Sequence, residues 1–350
     1  MVMEKLDLSR SNILGSVAET ISCQEAQKKG FLLVDVRSAA EYKSGTIPGA
    51  VNVPLFDESE RSVIGTIYNH AGKDQAIDQG FLYVEKKMGE MLGGFDSHGE
   101  CTFAVFCARG GMRSRSIVNL LNQTGHHAVK VDGGYKDFRT AILQAVEDFA
   151  PPVIVIHGLT GTGKTRILQH LDNFIDLEDL AQHRSSLFGA LDLHPRNQRD
   201  FEALLAEQIE QAGEPPYFVE GESRKIGRVF IPKAFAMAMK AGKLVNVTAS
   251  VETRITRIVE DYPVDTPEQQ VEVERILRSL VRSLGHEKVE QMCSLLAERN
   301  LRDLVRILLL EYYDPRYTRS MSNYTFDLEL SAEDIPQCAA RLIEFRESLL

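Results

Sequence analysis

The stretch that most constrains this chain is Val153-Ile154-Val155-Ile156-His157, followed by Gly158-Leu159-Thr160-Gly161-Thr162-Gly163-Lys164-Thr165 and then Arg166-Ile167-Leu168. An apolar run, a loop of the form G-x-x-x-x-G-K-[ST] and a helical start, in that order, are what a phosphate-binding P-loop requires. The glycines Gly158, Gly161 and Gly163 let backbone N–H groups point inward at phosphate oxygens. Lys164 adds a point charge, and Thr165 offers a hydroxyl to phosphate or Mg²⁺. Strands alternating with helices around such a loop imply a parallel α/β sheet with its ligand at the carboxyl ends of the strands. Taken alone, the motif reads as an ATP or GTP site.

A second stretch carries different chemistry: Phe103-Ala104-Val105-Phe106-Cys107-Ala108-Arg109-Gly110-Gly111-Met112-Arg113-Ser114, running into the helically spaced Ser116 to Leu121. Read as strand, loop and helix, it leaves the Cys107 sulfur at the rim of a bowl of backbone N–H groups. Those donors, the helix N-terminus and the guanidinium groups of Arg109 and Arg113 all favour a thiolate. The bland alternative is a buried apolar cysteine, but such a residue has no need of an Arg and two Gly directly after it. The five cysteines are odd in number, scattered and without a C-x-x-C pair, which speaks against a disulfide framework or a zinc site and fits a reducing compartment. No metal ligand set is read from the sequence.

At 350 residues the chain is too long for one small core, and two domains are expected. The boundaries read as 1–148 and 153–350, with a linker at 149–152 marked by Pro151-Pro152 and a helical insertion at about 264–318. The net charge of -10 argues against a protein that coats nucleic acid generally, and leaves room for a local basic patch. Met1 to Asp7 lacks a basic region followed by an apolar one, and no apolar run approaches membrane-spanning length, so a cytoplasmic location and no membrane contact are expected.

In the first domain, residues 31–36 read as a buried strand closing on Arg37, with Asp35 and Arg37 holding the scaffold. A short helix follows at Glu41-Tyr42, then a turn over Gly45 to Ala50 and a strand over Val51 to Pro54. Leu55 to Gly99 reads as looser, with a helical pattern near Gly80 to Leu92 and a turn at Gly93-Gly94. Ala128 to Val131 is another strand. Beyond the P-loop, Phe174 to Ala181 reads as a second strand ending in acids, and His183 to Gly189, with Arg184, as a polar loop. Tyr217 to Glu220 reads as a third strand, with Glu220 where a nucleotide hydrolase puts its metal-holding acid. Arg224, Lys225 and Arg228 suit phosphate or RNA as well as they suit a solvated loop. Lys243 to Ala249 is a fourth strand and Val251 to Asp261 a helix carrying Arg254 and Arg257. Arg275, Arg278, Arg282, Arg299, Arg302 and Arg306, interspersed with acids, read by default as solvated helix faces, with an RNA-contact face as the sharper alternative. Tyr312 to Tyr317, with a turn at Asp314-Pro315, suits either a cap on that helical module or a platform for stacking a base, with capping favoured because aromatics more often serve the core. A strand over Tyr324 to Leu330 and a last helix from Ala332 return to the P-loop sheet.

Residues from about 18 to 145 resemble a rhodanese domain. The resemblance rests on Asp35-Val36-Arg37, Glu41-Tyr42, Gly45-Thr46-Ile47-Pro48-Gly49-Ala50-Val51-Asn52-Val53-Pro54, the Cys107 loop, and Val131-Asp132-Gly133-Gly134-Tyr135. Thr46 departs from the family's usual His. Rhodaneses carry sulfur or selenium on the loop cysteine as a persulfide or perselenide, so the resemblance implies a chalcogen-bearing intermediate at Cys107. Nearly the whole chain, in this order, resembles the tRNA 2-selenouridine synthase family. Here the additional residues are Asp176 to Gly189, Glu220-Gly-Glu-Ser-Arg-Lys-Ile-Gly227 and Tyr312-Tyr-Asp-Pro-Arg-Tyr317. That resemblance implies replacement of sulfur by selenium in 2-thiouridine at the tRNA wobble position, through an S-geranyl intermediate. Its substrates would be geranyl diphosphate and selenophosphate, with no tightly bound cofactor, Mg²⁺ left open, and a selenophosphate-supplying enzyme as a candidate partner. Cys107, Arg109 and Arg113 would be catalytic. Gly158 to Thr165 would hold a diphosphate, and Glu220, Arg224, Lys225, Arg228 and Arg184 are candidates for substrate or RNA contact. Two rival readings stand beside it: a rhodanese sulfurtransferase fused to an ATP-dependent kinase or hydrolase, and a non-enzymatic tRNA-binding sulfur-relay module.

Overall fold

The computed structural model describes residues 10–15, 18–221 and 223–350; the Met1 to Asp7 reading and Glu222 lie outside the described residues. The chain divides into two compact units, Met1–Ala145 and Val146–Leu350.

Five strands build the first unit: β1 (Thr20–Ile21), β2 (Leu32–Asp35), β3 (Val51–Asn52), β4 (Thr102–Phe106) and β5 (His127–Val131). They form one sheet in the order β1-β5-β4-β2-β3, every pairing parallel. β2 and β4 are nearly continuous apolar runs because a parallel sheet is covered on both faces. Val34, Phe103 and Val105 enter one core, while Leu33, Ala104 and Phe106 enter the other.

The second unit contributes β6 (Val153–His157), β7 (Phe174–Ile175), β8 (Tyr217–Glu220), a small antiparallel pair β9 (Lys225–Ile226) and β10 (Val229–Phe230), then β11 (Lys243–Thr248) and β12 (Leu328–Ser331). Its main sheet is again all parallel, in the order β12-β11-β6-β8-β7, so the strand that feeds the P-loop is central. The molecule is thus a mixed α/β chain with two parallel sheets, the second carrying the P-loop and helical additions. Helices between Pro267 and Met321 pack around their own core, which includes Leu277, Val289, Met292 and Leu309. Phe149, at the start of the expected linker, packs its ring 5.0 Å from Phe235 and 6.1 Å from Tyr217, inside the second unit.

Five local expectations are corrected. The loose stretch is two helices, Glu58–His70 and Lys73–Asp96, the first opened by a capping box of Asp57 and Glu60. Gly93-Gly94 is helix interior and makes no turn; a Cβ on Gly94 would lie 3.5 Å from Val53, so close packing there outweighs glycine's poor helix propensity. Only Phe174–Ile175 of the expected second strand is extended. The Asp176 carboxylate accepts from the Asp179 N–H at 2.9 Å and starts a short helix, Leu177–Ala181. Asp314-Pro315 makes no turn either. A π-helical turn, Leu308–Tyr313, runs straight into the helix Asp314–Met321, and this wider turn precedes the proline, whose ring cannot follow a regular α-turn. Finally, the last strand is Leu328–Ser331, because Asp327 is pinned to Lys243 Nζ and the Leu244 N–H, both at 2.8 Å. Among the described residues, no helix is long and apolar enough to cross a membrane.

Candidate active sites

In the first unit, β4 ends at Phe106 and the helix Met112–Gln123 begins five residues after Cys107, with no side-chain cap on its first turn. The loop between them is held from below. Tyr135 and Lys136 N–H groups donate to the carbonyls of Cys107 and Ala108, both at 2.9 Å, and Lys130 Nζ donates to the Gly110 carbonyl at 3.0 Å. Gly134, at φ +61°, lets that approach happen: a Cβ there would stand 2.3 Å from the Cys107 carbonyl oxygen and 2.4 Å from Gly110 N. Asp35, fully buried, pairs with Arg37 at 2.5 Å and accepts from the Thr46 hydroxyl at 2.9 Å. Arg37 in turn lies 3.9 Å from the centre of the Tyr135 ring, so this pair braces the loop's floor and is remote from any chemistry of its own. Thr46 therefore does a bracing job with a hydroxyl.

Cys107 is buried, and its sulfur lies 3.3 Å from the Ser114 hydroxyl. Burial pushes the thiol up. The Ser114 hydroxyl, the backbone N–H groups of Arg109 and Ser114, and the Arg113 charge more than offset this and leave it below the ordinary thiol value. Burial alone acts on Cys101 and raises it, and Cys338 is pushed up to about 11, so Cys107 stands apart chemically. Arg113 lies 3.4 Å from Glu41, which also holds Arg61 at 2.8 Å, so its charge is shared. Arg109 is exposed beside the loop. Around this thiol the sequence left two things unread: Ser114 as a sulfur partner, and a cavity of about 1190 Å³ lined by Cys107, Arg109, Arg113 and the two helices between Glu58 and Asp96.

In the second unit, β6 delivers Gly158 to Thr165 at the carboxyl ends of the strands, and the helix Lys164–Leu168 starts from Gly163 in a left-handed conformation. The Thr165 hydroxyl donates to Glu220 at the end of β8, at 2.7 Å, and Glu220 is buried. The register sets this contact, because β8 places Glu220 beside Ile156 of β6. Lys164 Nζ donates to the Gly158 carbonyl at 3.3 Å. Two buried arginines shape the loop from behind, a role that no spacing in the sequence revealed. Arg254 donates to the Thr160 carbonyl at 2.8 Å and pairs with Asp314 at 2.6 Å. Arg257 donates to the Thr162 carbonyl at 2.6 Å and to the Ala332 carbonyl at 2.7 Å. His157, whose ring lies 4.8 Å from Tyr324, is held down to about 4 by burial and by the Lys164 charge, so it stays neutral beside the loop.

Of the other candidates, Lys225 and Arg228 lie on the β9–β10 hairpin, where Arg228 donates to the carbonyls of Pro195 and Arg196 and Lys225 lies 5.7 Å from the Phe230 ring centre. Arg224 is exposed. Arg184 stacks 4.5 Å over Tyr262. Arg275, Arg278, Arg302 and Arg306 pair with Glu272, Glu274, Glu290 and Glu252, as solvated helix faces do.

Comparison with known proteins follows the same division. Residues 18–141 match the rhodanese-like domain family, and residues 151–342 match the tRNA 2-selenouridine synthase AAA domain. A tRNA 2-selenouridine synthase of Bordetella petrii is 33% identical over 336 residues, covering 86% of this chain and 89% of that protein. The Pseudomonas syringae pv. syringae protein of that name is 32% identical, over 90% of this chain and 95% of its own length. With a Cys107 loop, a P-loop and these relatives matched along nearly its whole length, the chain belongs to the tRNA 2-selenouridine synthase family.

Proposed function

We propose that this protein replaces sulfur by selenium in 2-thiouridine at the wobble position of tRNA, in two steps carried by its two centres. The observation that carries the reading is the activated Cys107, set in a loop of N–H donors, on a chain of this family that also holds a complete P-loop.

In the first step the thiocarbonyl sulfur attacks the first carbon of geranyl diphosphate. A C–S bond forms, the C–O bond breaks, diphosphate leaves, and the base loses its N3 proton. The loop Gly158 to Thr165 suits the diphosphate, whose charge grows as the C–O bond breaks; inward N–H groups and Lys164 stabilise that charge more in the transition state than in the substrate. In the second step selenium of selenophosphate attacks C2 and expels geranylthiol, which takes a proton. Water then cleaves the P–Se bond, releasing phosphate and leaving 2-selenouridine. Alkylation turns a poor leaving group into a good one. Selenium stays at the selenide level throughout, so the exchange needs no oxidant or reductant. That favours Cys107 guiding the selenium to C2 over storing it as a perselenide, whose S–Se bond would require removal of two electrons. The loop N–H groups, Arg109 and Arg113 balance the negative charge there.

The hard oxygens of Thr165 and Glu220, together at 2.7 Å, fit a Mg²⁺ ion shared with substrate phosphates, which would neutralise charge on the leaving diphosphate. The same pair favours the second reading, a Mg²⁺-nucleotide hydrolase, which predicts ATP turnover without tRNA. Lys164→Ala separates them. On the proposed reading, binding of geranyl diphosphate and formation of the S-geranyl nucleoside fall together, by roughly 10- to 100-fold for the loss of one charged contact. Unchanged geranylation in that variant refutes the P-loop's role.

A further inference from the structure

Moving one selenium atom past Cys107 needs little room, yet the Cys107 loop opens on a cavity of about 1190 Å³. That exceeds the ~300–1,000 Å³ of ordinary small-molecule pockets. Much of its wall belongs to the two helices Glu58–His70 and Lys73–Asp96, which lie between β3 and β4 in the chain. Those helices turn Ile64, Ile77, Val84 and Met88 into the space, where they meet Phe56 and Ile117. The charged lining residues are the cations Arg61, Lys73, Arg109 and Arg113 and the acid Glu85. A concave, largely apolar opening of this size is the kind of surface that marks a ligand site. Its lining selects a ligand with a hydrocarbon body and a polar, electron-poor head beside the sulfur.

We infer that this cavity holds the isoprenyl chain of the S-alkylated nucleoside, so that C2 is presented at the Cys107 loop while the chain lies between the helices Glu58–His70 and Lys73–Asp96. The inference rests on the two-step reading above and adds to it: the exchange centre recognises the leaving group and thereby favours alkylated over unalkylated tRNA. Burial of a methylene contributes about fourfold in affinity. A geranyl group carries nine more carbons than a methyl group, so even partial burial gives a preference of at least about a hundredfold.

The test uses the full-length chain and anticodon stem-loop oligonucleotides bearing 2-thiouridine, S-methyl-, S-butyl- or S-geranyl-2-thiouridine. Binding is measured directly, and single-turnover conversion is measured with selenophosphate. The expected order of affinity is geranyl, then butyl, then methyl. Ile77→Asp, which puts a charge on the apolar wall, abolishes that order. Ile77→Trp fills space without adding charge and moves the optimum from geranyl to butyl, a gain that an unfolded protein cannot show. Equal affinity of the wild-type chain for methyl and geranyl forms overturns the inference and leaves the two-step function intact. An undiminished geranyl preference in both variants also overturns it, since the chain then lies elsewhere. If geranyl binding follows the predicted pattern while only 2-thiouridine is converted to 2-selenouridine, the cavity assignment stands and the two-step route fails.

Discussion

Ser114→Ala isolates the thiol's activation from everything else the loop does. In the resting site the Ser114 hydroxyl has two acceptors, the Cys107 sulfur at 3.3 Å and the Gly111 carbonyl at 3.2 Å, and one proton to give. When Cys107 ionises, the proton turns to the thiolate. The gain is therefore a charge-assisted hydrogen bond, about 1.5–3 kcal/mol, less the neutral bond given up, about 0.5–1.5 kcal/mol. The difference, about 1–1.5 kcal/mol, corresponds to about one pKa unit. Alanine removes it without adding bulk, so the Cys107 pKa should rise by about that much. The assay is the rate of iodoacetamide alkylation against pH, read by mass spectrometry on the Cys107 peptide. Cys101, Cys293 and Cys338 are all raised by burial and do not overlap it at low pH. A midpoint that does not move, or moves down, refutes the idea that Ser114 sets the thiolate.

Gly134→Ala tests the floor of the same loop. Its added Cβ meets the Cys107 carbonyl at 2.3 Å and the backbone is left-handed, so a loss of about 2–5 kcal/mol and a melting shift of roughly 5–15 °C are expected by calorimetry; a shift under about 2 °C contradicts the packing argument. Asp176 tests a half-buried acid. Burial raises it from 3.8 to about 6, so the folded state binds its proton more tightly and the wild type loses stability as pH rises between those values, by about 3 kcal/mol at most. Asp176→Asn keeps the helix cap and removes the charge; it should raise the melting temperature at about pH 8 and leave it unchanged near pH 4. A gain of the same size at both pH values would show that burial of the charge is not the cause.

The parts of this molecule that were legible in the sequence are those where one short segment determines its own geometry. The P-loop is legible because Gly158, Gly163 and Lys164 must follow a strand and open a helix, and they do. The Cys107 loop is legible for the same reason, down to the strand end and the helix start. What escaped depends on distant partners. Gly93-Gly94 looks like a turn until Val53 is packed against it. Arg254 and Arg257 look like surface charges on a helix until the carbonyls of Thr160 and Thr162 are found within reach. The cavity is the extreme case, since its walls come from segments spread between Ile13 and Leu120, each unremarkable by itself. Asp176 shows a smaller failure: Phe174-Ile175 is a true strand, and a capping carboxylate at the next residue converts the run to helix.

The division of labour between the two centres is tested most directly by nucleoside mass spectrometry of tRNA incubated with the full-length chain, geranyl diphosphate and selenophosphate. With the wild type, 2-thiouridine should pass through S-geranyl-2-thiouridine to 2-selenouridine. With Cys107→Ser, the S-geranyl nucleoside should form and accumulate while 2-selenouridine is lost. Equal loss of both products in that variant, or 2-selenouridine formed at the wild-type rate, contradicts the account.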